Sequence, residues 1–163
     1  MSRWLPGVGL EKFGVGGLEG STALNETYQF RAPSFAQEAG DLLLFRPSLL
    51  GSKAYPLPAR QERKYPLQFP YLSSQGDVFE IALPPGYVVE ALPEPVERDS
   101  PYLHYRSQVV QEGNGVKFVR TLEVKQLTVP PEAVPAVQQL YQLVDRDERN
   151  LVLLKRQGGA AVR

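Results

Sequence analysis

Apolar and polar side chains alternate most regularly in residues 102–129, on both sides of the loop Glu112-Gly113-Asn114-Gly115. An Asn-Gly pair between two alternating segments is the strongest short-range indication of a β-hairpin, because both residues tolerate the positive φ of tight turns. We predict a four-residue loop at 112–115, because a two-residue loop at 114–115 would set apolar side chains opposite polar ones. The predicted register pairs Val109 with Phe118, Tyr105 with Leu122, Leu103 with Val124 and Ser107 with Arg120.

Arg120 and Ser107 together interrupt an otherwise apolar face of this hairpin. A buried arginine at this place would be a candidate recognition group. Long basic side chains more often keep their charged end in water while their stem packs on apolar surface. We therefore expect Arg120 to reach an edge of the sheet or to pair with a carboxylate.

Six further segments have the composition of strands and are bounded by proline or glycine: residues 22–31, 41–45, 61–71, 77–83, 87–92 and 151–154. The segment 61–71 contains Pro66 and Pro70, which cannot donate to a ladder, so we predict an edge strand there. With the hairpin, the count reaches seven or eight strands. Short strands at regular spacing favour an all-β fold, an antiparallel β-sandwich, over a parallel α/β fold.

One segment has helical periodicity. Its apolar side chains recur at spacings of three and four residues: Val134, Val137, Leu140, Tyr141 and Val144. Proline at position 135 is tolerated only in the first turn, so the helix should begin near Pro131. We predict that this single C-terminal helix packs its apolar stripe on the sandwich and ends in the charged residues 145–149.

These elements give a domain organisation in three parts. Residues 1–20 form a flexible, glycine-rich lead-in with a weak strand pattern at 11–15, residues 21–156 form the β-sandwich domain, and residues 157–163 form a disordered tail. Residues 1–7 contain too short and too glycine-broken an apolar segment for a secretory signal.

Composition excludes several classes of function. Eighteen basic and 18 acidic side chains leave no net charge, so the chain as a whole does not attract nucleic acid. Cysteine is absent, which removes thiol nucleophiles, disulfide bonds and cysteine-ligated metal sites. No apolar run approaches the roughly 20 residues that a membrane-spanning helix needs.

His104 is the sole histidine and lies near Asp99 and Ser100, which together would suit a hydrolytic triad. Ser100 precedes a proline and lacks the glycine context of a nucleophile, and His104 faces away from Tyr105 in the predicted strand. We therefore predict no catalytic residue here.

The carboxylates Asp145, Asp147 and Glu148 would suit calcium in number. They lack the loop glycine and the distal bidentate glutamate of a calcium loop, so we predict a solvated helix end. The sequence thus predicts a protein that is not an enzyme and has no cofactor-binding or metal site.

Tyr65, Phe69 and Tyr71 are the remaining candidates for a binding surface. Aromatic side chains on an edge strand could stack on a sugar or hold a peptide added to the sheet. Aromatic residues spaced by two along a strand are more often core contacts, and we favour that interpretation.

The order and spacing of four motifs resemble the C-terminal module of bacterial transglutaminase-like proteins. The motifs are Gly40-Asp41-Leu42-Leu43-Leu44-Phe45-Arg46-Pro47, Arg63-Lys64-Tyr65-Pro66, Ile81-Ala82-Leu83-Pro84-Pro85-Gly86-Tyr87 with Leu92-Pro93, and Leu122-Glu123-Val124-Lys125 with Val129-Pro130-Pro131-Glu132. The resemblance covers about residues 22–156. In that family a β-rich domain of unknown function follows a transglutaminase core.

The resemblance implies a non-catalytic accessory or interaction module in a multidomain bacterial protein, exported to the periplasm or the cell exterior. Its partners would be other domains of the same protein, the transglutaminase-like core among them. The catalytic cysteine, histidine and aspartate of the family lie in that core, and none can be carried over to this chain. The alternative from the residues is a free-standing domain that binds peptide or glycan through the edge strand at 64–71.

Overall fold

The computed structural model of the chain describes residues 8–17, 20, 22–57 and 63–157. The chain forms two compact units, Met1–Gln37 and Glu38–Arg163. The strands of the described residues are β1 (Gly9–Gly16), β2 (Asn25–Arg31), β3 (Gln37–Ala39), β4 (Leu42–Phe45), β5 (Leu67–Gln68), β6 (Ser73–Ala82), β7 (Tyr87–Ala91), β8 (Val96–Asp99), β9 (Leu103–Glu112), β10 (Gly115–Val124), β11 (Thr128–Val129) and β12 (Val152–Arg156).

The smaller unit contains the antiparallel ribbon of β1 and β2. A β-bulge between Leu10 and Lys12 shifts the register of β1 by one residue. Gly17, which follows β1, has φ of 78°, and a Cβ atom there would lie 2.1 Å from the carbonyl oxygen of Ala23. Only glycine fits at this position without displacing Ala23.

The larger unit contains two four-stranded antiparallel sheets, in the orders β6-β10-β9-β8 and β3-β4-β12-β7, and the short pair β5-β11. The two large sheets together hold eight strands, but β3 and β8 lie outside the segments predicted as strands, and the predicted strands at 22–31 and 61–71 are not part of these sheets. The buried apolar side chains come from both sheets and from the helix, including Phe45 on β4, Phe118 on β10 and Leu154 on β12. The fold is the predicted all-β antiparallel sandwich with one C-terminal helix.

The central hairpin of β9 and β10 has the predicted register, but its loop is shorter than predicted: β9 ends at Glu112 and β10 begins at Gly115, so the loop is the two residues Gly113 and Asn114 rather than the four residues 112–115. Val109 pairs with Phe118, Tyr105 with Leu122, Leu103 with Val124 and Ser107 with Arg120, and Glu112 pairs with Gly115 at the end of the ladder. Gly113 has φ of 55°, whereas no described residue other than glycine has positive φ. A positive φ at only the first central residue is typical of a type II′ turn, whose twist matches the flanking strands.

The helix also agrees with the sequence. A 3₁₀ turn, Pro131–Ala133, leads into α1 (Val134–Asp147), and a proline lies in its first turn. The five side chains of the predicted apolar stripe are the buried ones of α1: Val134, Val137, Leu140, Tyr141 and Val144. They form one core cluster with Leu103, Tyr105 and Leu122 of the central hairpin. At 14 residues, α1 is too short to cross a membrane, and the described residues contain no helix long and apolar enough to do so.

Two predicted strands differ from the structure. The edge strand expected at residues 61–71 is reduced to β5, two residues long, and residues 61 and 62 lie outside the described part of the chain. Pro66 and Pro70 flank β5 and lack an N–H group, so they limit its ladder to Leu67 and Gln68. The strand expected at 22–31 exists as β2, but it pairs with β1 rather than with a sandwich strand.

The predicted domain bounds stay a prediction. The lead-in at 1–20 contains β1, which covers the weak strand pattern noted at 11–15. In the predicted tail at 157–163, only Gln157 is described, and its N–H donates to the carbonyl oxygen of Gly86 at 2.8 Å.

Candidate functional site

The most concentrated polar arrangement surrounds Arg120, which is completely buried in the central strand β10. Side chains alternate along β10, so Arg120 lies on the same inward face as Phe118 and Leu122. Its donors reach five acceptors: Nε reaches Asp77 Oδ2 at 2.6 Å, Nη1 reaches Glu148 Oε1 at 2.7 Å and Ser48 Oγ at 2.8 Å, and Nη2 reaches the carbonyl oxygens of Leu50 and Gly51 at 2.8 Å each. A guanidinium has five N–H groups, so Arg120 has a partner for every one.

Asp77 and Glu148 neutralise the positive charges of Arg120 and Lys53. Asp77 is the direct cross-strand neighbour of Arg120, because β6 and β10 pair at these two residues. Lys53 Nζ lies 3.3 Å from Asp77 Oδ2. The side chain of Glu148 is 10% exposed and also accepts hydrogen bonds from Ser52 Oγ and the Lys53 N–H, at 2.5 Å each. Two basic and two acidic groups therefore balance inside the fold.

We call these residues the Arg120 cluster: Arg120, Asp77, Glu148, Lys53, Ser48, Ser52 and the carbonyls of Leu50 and Gly51. The cluster fixes the loop between β4 and β5 to the central sheet and to the end of α1. The loop contributes two carbonyl oxygens, of Leu50 and Gly51, and the N–H of Lys53 to these hydrogen bonds. The arrangement is a structural clamp. The donors of Arg120 already bond to acceptors of the protein itself.

A second polar group lies beside the cluster, at the last residue of α1. Asp147 Oδ2 accepts hydrogen bonds from Tyr105 Oη and Ser107 Oγ, both at 2.6 Å, and Asp147 Oδ1 accepts one from Asn150 Nδ2 at 3.2 Å. Burial, and then the hydrogen bond to the Asp147 carboxylate, raise the pKa of Tyr105 far above its usual value. The tyrosine therefore stays a protonated donor that holds the helix end to β9.

The expectation for Arg120 is confirmed in one of its two forms: the guanidinium pairs with carboxylates and does not reach the edge of the sheet. The expectation of a solvated helix end is wrong for Asp147 and Glu148, because both turn inward to donors on the sheet. It holds for Asp145, which is 47% exposed and pairs with Arg149 one turn later at 2.7 Å.

The three residues considered for hydrolysis are Asp99, Ser100 and His104. They lie in or next to the connection between β8 and β9 and have other bonding partners. Ser100 Oγ donates to the carbonyl oxygen of Leu103 at 2.8 Å and accepts from the Leu103 N–H at 3.0 Å. The hydroxyl proton therefore points to the backbone. Asp99 accepts from Lys125 Nζ at 2.9 Å, a bond that lowers the pKa of the carboxyl.

His104 is the cross-strand neighbour of Asp99 in this hairpin. Its Nε2 atom lies 3.3 Å from Glu97 Oε1, on a carboxylate that is 63% exposed. Of the carboxylates considered for calcium, Asp145, Asp147 and Glu148 each have a different set of partners. Among the described residues, no group of three or more histidine or carboxylate side chains could hold a metal ion.

The aromatic residues considered for binding do not share one environment. Tyr65 and Tyr71 are 79% and 60% exposed. Phe69 is half-buried and packs against the helix core, and its N–H donates to the carbonyl oxygen of Leu127 at 2.8 Å. Phe69 is thus the core contact that we favoured, whereas the two tyrosines face solvent.

A shallow depression of about 480 Å³ lies at the end of the β6–β10 ladder. It is lined by Leu72, Ser73, Ser74, Glu123, Val124 and Lys125. Leu72 is 59% exposed, and Lys125 is held by Asp99 at 2.9 Å. The depression is open, and the one basic group that lines it is already paired within the protein.

The fold and its buried clamp define a class of protein: a β-sandwich domain with a packed C-terminal helix, whose strongest polar interactions stabilise the domain. Within that class, the chain belongs to the family DUF3858, described as "Domain of Unknown Function with solved-structure structure", which it matches over residues 41–154. The matched segment begins just before β4 and ends in β12, so it contains the whole Arg120 cluster.

Comparison with solved structures gives the same fold in another protein. The chain is similar to the crystal structure of a "putative protease" from Parabacteroides distasonis, with a TM-score of 0.55 and 15% identity. The similarity covers 70% of this chain and 23% of that chain, so the chain spans about a quarter of the length of the structure that it matches. At this identity the likeness concerns the fold. No curated protein matches the chain.

Sequence reasoning did not find the partners of Arg120. The sequence contained one indication of the Asp77 partner. Asp77 lies on the same face of its predicted strand as Phe79 and Ile81, so this apolar face carries one negative charge, just as the apolar face of the hairpin carries the positive charge of Arg120. The periodicity of the sequence could not indicate the other partners, because Ser48 is 72 residues and Glu148 is 28 residues from Arg120.

Proposed function

We propose that the chain is a non-catalytic accessory and interaction module, the C-terminal domain of a bacterial transglutaminase-like protein that is exported from the cytoplasm. Its partners are other domains of the same polypeptide, the transglutaminase-like core among them. Membership of a family of domains of unknown function over residues 41–154 is consistent with this role. The motifs around Leu42, Tyr65, Leu83 and Val124 supply the resemblance to the transglutaminase-like proteins.

The main support for the proposal is that the reactive side chains already form hydrogen bonds within the domain. Arg120 has all its donors bonded within the domain, and Asp147 and Glu148 accept from the sheet and the loop between β4 and β5. Ser100 bonds to the backbone of its own turn. Groups that are fixed in this way stabilise a domain, and they are not poised to bind or attack a substrate.

The size relation to the matched crystal structure supports the same role. There, a domain of this fold occupies about a quarter of a longer chain, so the fold occurs as one part of a larger protein. In an accessory domain, function lies in the surface that it presents to its neighbours.

Two measurements test the proposal. The purified chain, assayed for amide transfer with glutamine-containing peptides and for peptide hydrolysis, should show no turnover above buffer, with the complete gene product as the comparison. The purified chain should also bind the separately produced upstream domain in calorimetry. Sustained turnover by residues 1–163 that Ser100→Ala or His104→Ala abolishes would refute the proposal.

The alternative function, binding of peptide or glycan by a free-standing domain, is favoured by the exposure of Tyr65 and Tyr71. It relies on two isolated aromatic side chains, because β5 is two residues long and Phe69 packs inward. An array of peptides and glycans distinguishes the two functions: retention that Tyr71→Ala removes would favour the alternative.

A further inference from the structure

The ribbon of β1 and β2 has one apolar face. Residues directly opposite in the ladder share a face, and the pairs on this face are Leu10 with Phe30, Phe13 with Tyr28 and Val15 with Glu26. The rings of Phe13 and Tyr28 lie 5.1 Å apart. Five apolar or aromatic side chains therefore line one side of a structure only two strands wide.

The β-bulge is what brings Leu10 to this face. In a regular strand, residues 10 and 13 would point to opposite sides, since side chains alternate. The extra residue at the bulge between Leu10 and Lys12 reverses the alternation, so Leu10 joins Phe13 and Val15. The opposite face carries Lys12, Gly14 and polar residues of β2. The ribbon thus has one polar face and one apolar face.

Three of the five side chains on the apolar face are exposed, and Tyr28 and Phe30 are half-buried. Leu10, Phe13 and Val15 are 53%, 56% and 44% exposed. A two-stranded ribbon is marginally stable in water by itself, and a covered hydrophobic face is what makes such a ribbon persist. The ribbon also lies before the segment that matches the family, which begins at residue 41, so it is an addition to the family domain.

The size of the face identifies the kind of partner. Strands of seven and eight residues at about 3.3 Å per residue, spaced about 4.8 Å apart, present roughly 250 Å² on one side. A stable interface between separate proteins needs about 800 Å² on each partner. A second copy stacked on the ribbon would therefore bind too weakly. A partner on the same polypeptide has an effective concentration in the millimolar range, at which so small a face suffices.

We propose that the apolar face of the β1–β2 ribbon is the surface that docks a neighbouring domain of the same polypeptide, through the side chains of Leu10, Phe13, Val15, Tyr28 and Phe30. The inference rests on the proposed accessory function and names the surface that performs it. The matched crystal structure, in which this fold is a quarter of the chain, supplies the precedent for a tethered neighbour.

Amide hydrogen exchange, measured on the chain of residues 1–163 and on the complete gene product, tests the proposal. Amides of residues 9–16 and 25–31 should exchange at least tenfold more slowly in the complete gene product. Phe13→Asp should abolish this added protection. Lys12→Asp, on the opposite face of the same strand, is the matched control and should leave it unchanged, and residues 103–124 report in every sample that the sandwich is folded.

Each other outcome overturns the proposal in a recognisable way. Equal exchange of the ribbon in both proteins, with added protection elsewhere on residues 38–157, would place the docking surface on the sandwich and leave the accessory function intact. Protection that rises with the concentration of the 1–163 chain, together with a dimer in light scattering, would make a second copy the occupant. A gene product without any further domain would overturn the inference and the proposed function together.

Discussion

Replacing Arg120 by methionine tests the structural clamp directly. The substitution keeps much of the side-chain volume but removes five hydrogen bonds from a site with no exposed surface. The carboxylates of Asp77 and Glu148 stay behind, 24% and 10% exposed. Removing one partner of a buried ion pair costs about 3–5 kcal/mol, because the remaining charge is uncompensated.

The retained contacts decide where in that range the loss falls. Glu148 keeps its bonds from Ser52 and the Lys53 N–H, and Asp77 keeps Lys53 Nζ at 3.3 Å. We therefore expect Arg120→Met to lower the free energy of unfolding by about 3 kcal/mol, at the lower end of the range. Urea denaturation followed by far-UV circular dichroism measures it.

The matched control is Arg106→Met, an exposed arginine on the outer face of the neighbouring strand β9. It should change the free energy of unfolding by less than about 0.5 kcal/mol. A double-mutant cycle with Glu148→Gln should give a coupling energy of about 1–3 kcal/mol. A loss below about 1 kcal/mol for Arg120→Met, or a coupling energy near zero, would refute the clamp.

Further predictions concern the sandwich, the helix end and the exposed tyrosines. Phe118→Asp should abolish cooperative thermal unfolding, because Phe118 is 3% exposed and stacks on Phe79. The control Val119→Asp, on the outer face, should melt like the unaltered chain. An unchanged melting curve for Phe118→Asp would contradict the register. The raised pKa of Tyr105 contributes stability that is complete below about pH 10, the pKa of a free tyrosine, and is lost as pH rises further. The urea midpoint should therefore fall more steeply above pH 10 in the unaltered chain than in Tyr105→Phe, and equal slopes would show that Tyr105 is not the group responsible. Tyr71→Ala should leave peptide and glycan arrays unchanged, since we propose no ligand there; loss of a retained spot would argue for the binding module.

Local pattern was sufficient for the central hairpin and the helix. The information lies in neighbouring residues. The alternation of apolar side chains on both sides of residues 112–115 gives the register of the hairpin, although the turn itself is Gly113-Asn114, and the spacing of Val137, Leu140 and Val144 gives the buried face of α1. In both cases the side chains that the sequence makes apolar are those that the fold buries, so propensity and packing agree.

Pattern was insufficient where distant segments decide the outcome. The helix end was expected to be solvated because Asp147 and Glu148 are charged, and charge usually indicates exposure. Burial of these carboxylates depends on donors at Tyr105 and Arg120, 42 and 28 residues away. The prediction of a strand at 61–71 was wrong for a local reason, because Pro66 and Pro70 limit the ladder to two residues.

The Arg120 cluster also has a consequence for how the domain folds. Its hydrogen bonds join positions that are 28 to 96 residues apart, from the loop after β4 to the residue that follows α1. Contacts of such sequence separation form late, because the chain entropy of closing long loops must be overcome first. A nascent chain that has not yet extended past Glu148 holds an arginine in its central strand without that carboxylate. The last native interactions of the sandwich therefore wait for nearly the whole family segment to leave the ribosome.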